Sequence, residues 1–216
     1  MKKIQVVQIT LLIVSAGFFT SLFLYTDTYN EIKAVIVDTT CFSCIKMNPV
    51  THFTFTFNTL NNQPHPTYVQ DNLTKIGPVF LAFRADVCAA CDKMDPILKK
   101  VFNVEFGKKE LFHQIIEYQG SNISFFHINI DHASGEFLNS FSIYDRDHRS
   151  GVPMFVMITL GNNSGKIQPY YMTAYGELTG THNDKERIEY FDKMINKGIE
   201  FYQENIEEYI KQEESN

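Results

Sequence analysis

Two cysteines three residues apart, Cys88 and Cys91 in "FRADVCAACDKMDP", stand where a continuous apolar run gives way to helical spacing. At the first turn of a helix such a pair has a defined chemistry. The first thiol lies against unsatisfied backbone N–H groups and the positive end of the helix dipole, and both favour its thiolate. Residues i and i+3 share a helix face, so the second thiol can close on the first. The expected roles are Cys88 as attacking nucleophile and Cys91, one turn deeper, as the thiol that resolves a mixed disulfide. Ala89 and Ala90 bring no group that tunes the thiolate, so its acidity rests on the helix end and on residues distant in sequence. A second pair, Cys41-Phe-Ser-Cys44, follows the β-like "AVIVDTT", and nothing local places it on a helix. Two readings stand for it: a local disulfide that stiffens the chain, or a second redox pair exchanging electrons with Cys88 and Cys91.

The elements that must position these residues show in the periodicity. "PVFLAFRA" (78–85) is a continuous apolar run bounded by Gly77-Pro78, as in a strand buried on both faces. Met94, Ile97, Leu98, Val101 and Phe102 then fall at i, i+3, i+4, i+7 and i+8, one buried helical stripe. The spacing predicts a second helical stretch over about 104–118, "ISFFHINID" (123–131) as the next buried strand, and a short helix near 135–143. That alternation implies a βαβ unit with parallel strands and a right-handed crossover. "GVPMFVMITL" (151–160) and "KIQPYYMTAYG" (166–176) read as two strands joined by "GNNSG", before a closing helix from about Asn183. Upstream, "HFTFTFN" (52–58) alternates strictly, with Phe53, Phe55 and Phe57 on one face, and predicts a half-buried strand ended by "NTLNNQPHP".

In order, these features resemble the thioredoxin superfamily: the strand "PVFLAF", the pair "CAAC", Pro96 five residues after the second cysteine, "FFHINID", and "GVP" before a strand, over about residues 50–212. The resemblance implies an α/β, thioredoxin-like fold, a central mixed β-sheet flanked by helices, here with an N-terminal β extension. It implies that Pro153 is cis and packs beside the cysteine pair, presenting the Val152 backbone to an incoming chain; the plain alternative is a trans proline opening a strand. It also implies that Pro96 kinks the active-site helix. The chain departs from the family in three places. Val87 replaces the usual Trp, the middle dipeptide is not Gly-Pro, and Ala82 aligns with the family's buried Asp, so the proton acceptor for the second thiol is missing from its usual place. His127 falls near that site and is a candidate acceptor for the Cys91 proton. Its other reading is a partly buried, hydrogen-bonded strand histidine.

Residues 4–26 ("IQVVQITLLIVSAGFFTSLFLYT") carry no charge and follow Lys2 and Lys3. At about 1.5 Å per residue they can cross a hydrocarbon core of roughly 30 Å. The lysines before the span and Asp27 after it favour a cytoplasmic N-terminus and an extracytoplasmic remainder. A cleavable signal peptide competes, because "VSAG" offers small residues, but the apolar run continues to Leu24. The expected organisation is a transmembrane signal anchor (1–26), a linker with the second cysteine pair (27–50), and a thioredoxin-like domain (51–216). With an anchor ahead of "FTFTFN", the layout looks most like the membrane-tethered extracytoplasmic thiol–disulfide oxidoreductases. That resemblance implies clients with cysteines or disulfides, a further redox partner, and neither cofactor nor metal. Three sequons, at Asn72, Asn122 and Asn162, are compatible with that side of the membrane but arise by chance in an Asn-rich chain.

Other functions fit less well. Zinc held by two Cys-x-x-Cys knuckles would need a compact site, yet 43 residues separate Cys44 from Cys88. A copper chaperone on the same fold would add a histidine, His132 or His148, to a cysteine pair; the copper-delivery families space their cysteines by three residues, and this chain by two. A non-catalytic interaction module would keep Cys88 and Cys91 as a static staple. Nucleic acid is excluded by the net charge of −6 and the lack of a basic stripe. The acidity concentrates in residues 183–216, where ten acids face five bases, opposite Ile188, Phe191, Ile195, Ile199, Tyr202 and Ile206. This is a solvated helix face opposite a packed one.

Overall fold

A computed structural model describes residues 54–178 and 181–214. The expected anchor, the linker with Cys41 and Cys44, and Phe53 lie outside the described residues. After a single 3-10 turn at Leu60–Asn62, the elements run α1 (Thr67–Lys75), β1 (Val79–Arg84), α2 (Ala89–Phe102), β2 (Phe112–Tyr118), β3 (Ser121–Asn129), α3 (Gly135–Tyr144), β4 (Met154–Asn163), β5 (Lys166–Tyr175) and α4 (Asp184–Glu214). The sheet order is β2-β3-β1-β4-β5. β1 runs parallel to β3, and the other neighbours are antiparallel. The molecule is therefore α/β, a mixed five-stranded sheet flanked by helices.

All six residues of β1 are buried, so the continuous apolar run is a central strand covered on both faces. Its alternate side chains feed two cores. Phe80 and Ala82 join Met94, Ile97, Leu98 and Phe102 of α2 and Phe191, Met194 and Ile195 of α4. Leu81 and Phe83 join Val69 and Leu73 of α1 and Ile143 and Tyr144 of α3. The 31 residues of α4 serve both: beyond Ile199 the helix contributes Tyr209 to the second core, and the Tyr202 hydroxyl donates to the Leu73 carbonyl at 2.8 Å. α2 ends at Asn103, whose φ of 52° is the left-handed stop of a helix C-terminus.

Four expectations change. The helix expected over 104–118 is an irregular stretch followed by β2, an edge strand. Phe112, Ile115 and Ile116 have helical spacing, but Gln119 and Gly120 take φ of 48° and 82° and form the two-residue turn of a β2–β3 hairpin. Ile116 and Tyr118 then point to the core while Ile115 is exposed. The crossover between parallel β1 and β3 therefore contains a strand as well as a helix. Within 54–58, "HFTFTFN" forms no strand; Thr56 alone makes a bridge, its N–H and C=O pairing with Tyr171 at 2.8 and 3.0 Å. Phe55 is still buried and Phe57 stacks on Tyr170 at 4.3 Å, so the apolar face is used without a ladder. Helix α1 was not anticipated; Val69, Asn72 and Leu73 at i, i+3 and i+4 are its buried stripe. Asn72 is consequently no exposed sequon: its amide donates to the Tyr68 carbonyl and accepts from Ser124. Among the described residues no helix is long and apolar enough to cross a membrane.

Candidate active site

Cys88 is the N-cap of α2, with extended backbone (φ −145°), and its Sγ accepts the Cys91 N–H at 3.0 Å. The expected placement of the first sulfur against the helix N-terminus is thus realised. Cys88 and Cys91 form a disulfide in this structure. Cys88 is half-buried, whereas Cys91 is wholly buried. Cys91 is thus the more deeply placed of the two, as the expected roles require. Pro96 sits in the interior of α2, where its missing N–H leaves the Asp92 carbonyl without its helical partner.

The loop that delivers Cys88 is clasped from the end of β3 and the turn that follows it. The Asp86 N–H donates to Asp131 at 2.7 Å, the Asn129 amide donates to Asp86 at 2.8 Å, and His132 Nε2 lies 3.0 Å from the same carboxylate. The Asn129 hydrogen bond, aided by His132, holds the Asp86 carboxyl below its ordinary value. Val87, between this clasp and Cys88, is 98% exposed. On the first turn, Asp92 receives Lys108 Nζ at 2.6 Å, which with Arg84 lowers its carboxyl as well.

Val152–Pro153 is a cis peptide bond. The antiparallel pairing of Phe83 with Met154 sets Pro153 at the sheet end where β1 runs into the Cys88 loop. The Pro153 carbonyl accepts the Gly176 N–H at 2.8 Å, fixing it to the end of β5. Val152 is half-buried.

Behind the cysteines lies a cluster of buried charges. Arg84 ends β1 with its side chain 1% exposed and forms an ion pair with Asp95 of α2. A second, longer contact reaches Asp92 at 3.3 Å. His127 on β3, also buried, places Nε2 3.3 Å from Asp95 Oδ1. Its ring lies 4.0 Å from that of Phe106, and Nδ1 has no hydrogen-bond partner among the described residues. Residues i and i+4 share a helix face, so Asp95 stands beside Cys91 on α2. Asp95 and Arg84 were not singled out from the sequence. The available signal was an arginine closing a strand buried on both faces, since a charge there demands a partner.

The two histidines considered as copper ligands are placed apart: His132 is bound to Asp86, and His148 lies in the loop after α3 with φ of 53°. Among the described residues no group of three or more His, Cys, Asp or Glu side chains converges as a metal site. No protein-family model matches the chain and no curated protein matches it, so the reading of this site rests on its own geometry.

Proposed function

We propose that the chain is a thioredoxin-like thiol–disulfide oxidoreductase that exchanges disulfides with protein clients through Cys88 and Cys91. The observation that carries this reading is the N-cap position of Cys88 Sγ, accepting a helix N–H while the partner sulfur is buried one turn on. A helix N-terminus stabilises a thiolate by its free N–H groups and its dipole. The mixed sheet, the order of elements and the cis Val152–Pro153 bond at the same sheet end are all compatible with the fold.

The reaction balances as two exchanges. The Cys88 thiolate attacks a client disulfide, forming a Cys88–client bond and expelling the other client sulfur, which takes a proton. Cys91 then gives up its proton and attacks Cys88 Sγ; the Cys88–Cys91 bond forms and the second client thiol leaves. The client gains two electrons and the pair loses two. Client oxidation is the same path reversed, so direction follows reduction potential. With Ala82 in place of an acid, the candidate acceptor for the Cys91 proton is the buried pair of Asp95, on the same face of α2 as Cys91, and His127.

The rest of the proposal concerns location. Residues 4–26 anchor the chain in a bilayer with the N-terminus cytoplasmic, the domain over 51–216 works outside, and Cys41 and Cys44 form either a second redox pair for an upstream partner or a staple in the linker. Three-ligand copper chemistry has no support among the described residues.

Trapping tests the reading. The Cys91→Ser chain should accumulate mixed disulfides with client proteins through Cys88, and Cys88→Ser should accumulate none. Trapping by Cys88→Ser alone would reverse the roles. A Cys88–Cys91 potential below about −300 mV would make the bond a structural staple, and the chain an interaction module.

A further inference from the structure

Asp145 follows α3 and is buried, 5% exposed. Its carboxylate is fully engaged. Oδ1 accepts the Tyr175 hydroxyl at 2.8 Å and the Arg149 N–H at 3.0 Å, and Oδ2 accepts the Ser150 N–H at 2.7 Å. Its own carbonyl accepts the His148 N–H at 3.1 Å. The Tyr175 hydroxyl in turn accepts the Asp147 N–H at 3.2 Å, and the Arg149 guanidinium lies 4.8 Å over the Tyr175 ring. Burial pushes the Tyr175 hydroxyl above its ordinary pKa, so it remains a donor at neutral pH.

These partners fall on the two sides of Pro153. Arg149 and Ser150 lie just before it in the chain, and Tyr175 is opposite Met154 on β5. The segment would not hold this shape unaided. His148 and Ser150 take φ of 53° and 49°, left-handed backbone that an L residue adopts only when its surroundings over-determine it. One buried carboxylate supplies that determination, by accepting from two amides of the segment and from the strand behind it.

We infer that Asp145 is a positioning residue for client recognition: it fixes the segment from Arg146 to Gly151 so that Val152 and Pro153 border the cysteine pair in one arrangement. The inference rests on the oxidoreductase reading above. Asp145 is too deeply buried to touch a client, so its effect passes through the segment it holds. It belongs to docking and leaves the sulfur chemistry alone, because no Asp145 hydrogen bond reaches the Cys88 loop.

The test compares two substrates that differ in their need for docking. The full chain, kept in mild detergent, reduces a synthetic peptide with one internal disulfide, and dithiothreitol returns two electrons to Cys88–Cys91 in each cycle. Asp145→Asn replaces one acceptor oxygen by an N–H₂ that faces backbone N–H donors. Tyr175→Phe removes only the hydroxyl. Both variants should raise KM for the peptide, Asp145→Asn by about tenfold, with kcat unchanged and with the rate of reduction by dithiothreitol unchanged. Wild-type KM in both variants would overturn the proposal, as would an equal loss toward peptide and dithiothreitol. If Asp145→Asn fails to fold, Tyr175→Phe decides alone, with a several-fold rise in KM expected. Failure of the underlying reading looks different: the wild-type chain itself would then reduce the peptide no faster than dithiothreitol alone does.

Discussion

Arg84 and Asp95 form an ion pair in which the arginine side chain is 1% exposed and the aspartate 12%. One comes from the end of the strand that delivers Cys88, the other from the helix turn after Cys91, so the pair ties β1 to α2 directly behind the sulfurs. Buried charges cost several kcal/mol each to desolvate, and removing one partner leaves the other uncompensated. Arg84→Met and Asp95→Asn should each lower stability by about 3–5 kcal/mol. The double replacement Arg84→Met, Asp95→Asn should lose much less than the sum of the two single losses. Urea unfolding of the four proteins measures this, and additive losses would show that the two charges do not depend on each other.

Much of this site was legible because it is written in local pattern. Cys88 and Cys91 announce themselves by spacing and β1 by its unbroken apolar run, whereas Pro153 entered as what the family resemblance implies for "GVP" before a strand. The Arg84–Asp95 pair was not legible, since two charges eleven residues apart meet only once strand and helix are packed together. Asp145 was hidden for another reason. Two of its three partners are backbone N–H groups, which every non-proline residue carries and no sequence pattern marks. β2 was misread because Phe112, Ile115 and Ile116 satisfy a helical period, and the deciding signal was the two-residue turn at Gln119-Gly120 after them. Thr56 makes a bridge to β5 where alternation predicts a strand, and Phe55 and Phe57 use the apolar face without a ladder.

His65 gives the stability a pH dependence of known sign. Burial lowers its pKa from 6.5 to about 4, and Nδ1 lies 2.9 Å from the Tyr144 hydroxyl, which is itself buried. Between those two values the unfolded chain binds a proton that the folded chain lacks. Stability therefore rises with pH across that window and is lost as the solution is acidified through it. The loss should reach roughly 2–3 kcal/mol. His65→Phe should be less stable than wild type at about pH 7, because Tyr144 loses its partner, but the gap should narrow towards about pH 5. A gap that stays constant would show that His65 does not carry the slope.

Two glycines should respond to an added methyl group by different amounts. A Cβ on Gly77 would overlap the backbone carbonyl of Asn122, where β1 begins to pair with β3 and neither chain can give way. A Cβ on Gly198 would meet the flexible end of the Met157 side chain first. Gly77→Ala should cost about 1–3 kcal/mol. Gly198→Ala should cost less, because the methionine can move and alanine favours the helix by about 1 kcal/mol. Thermal melts rank the two, and the reverse order would contradict the packing argument.

Val87 is the last residue before Cys88 and is 98% exposed, so its apolar side chain has almost no contact among the described residues. A client chain bonded to Cys88 is expected to pack across this position. If the oxidoreductase reading is right, Val87 is buried in the mixed-disulfide complex and nowhere else. Full burial of a valine side chain is worth about 1.5 kcal/mol or slightly more, which is roughly tenfold in affinity. Val87→Ser adds no charge beside the Cys88 thiolate and should leave folding stability within about 0.5 kcal/mol of wild type. It should slow capture of a disulfide-bearing peptide by up to about tenfold while leaving reduction of Cys88–Cys91 by dithiothreitol untouched. Stopped-flow measurement of both reactions separates the two effects. Equal rates for wild type and variant with the peptide would mean that the approaching chain avoids Val87 and reaches Cys88 from the Pro153 side alone.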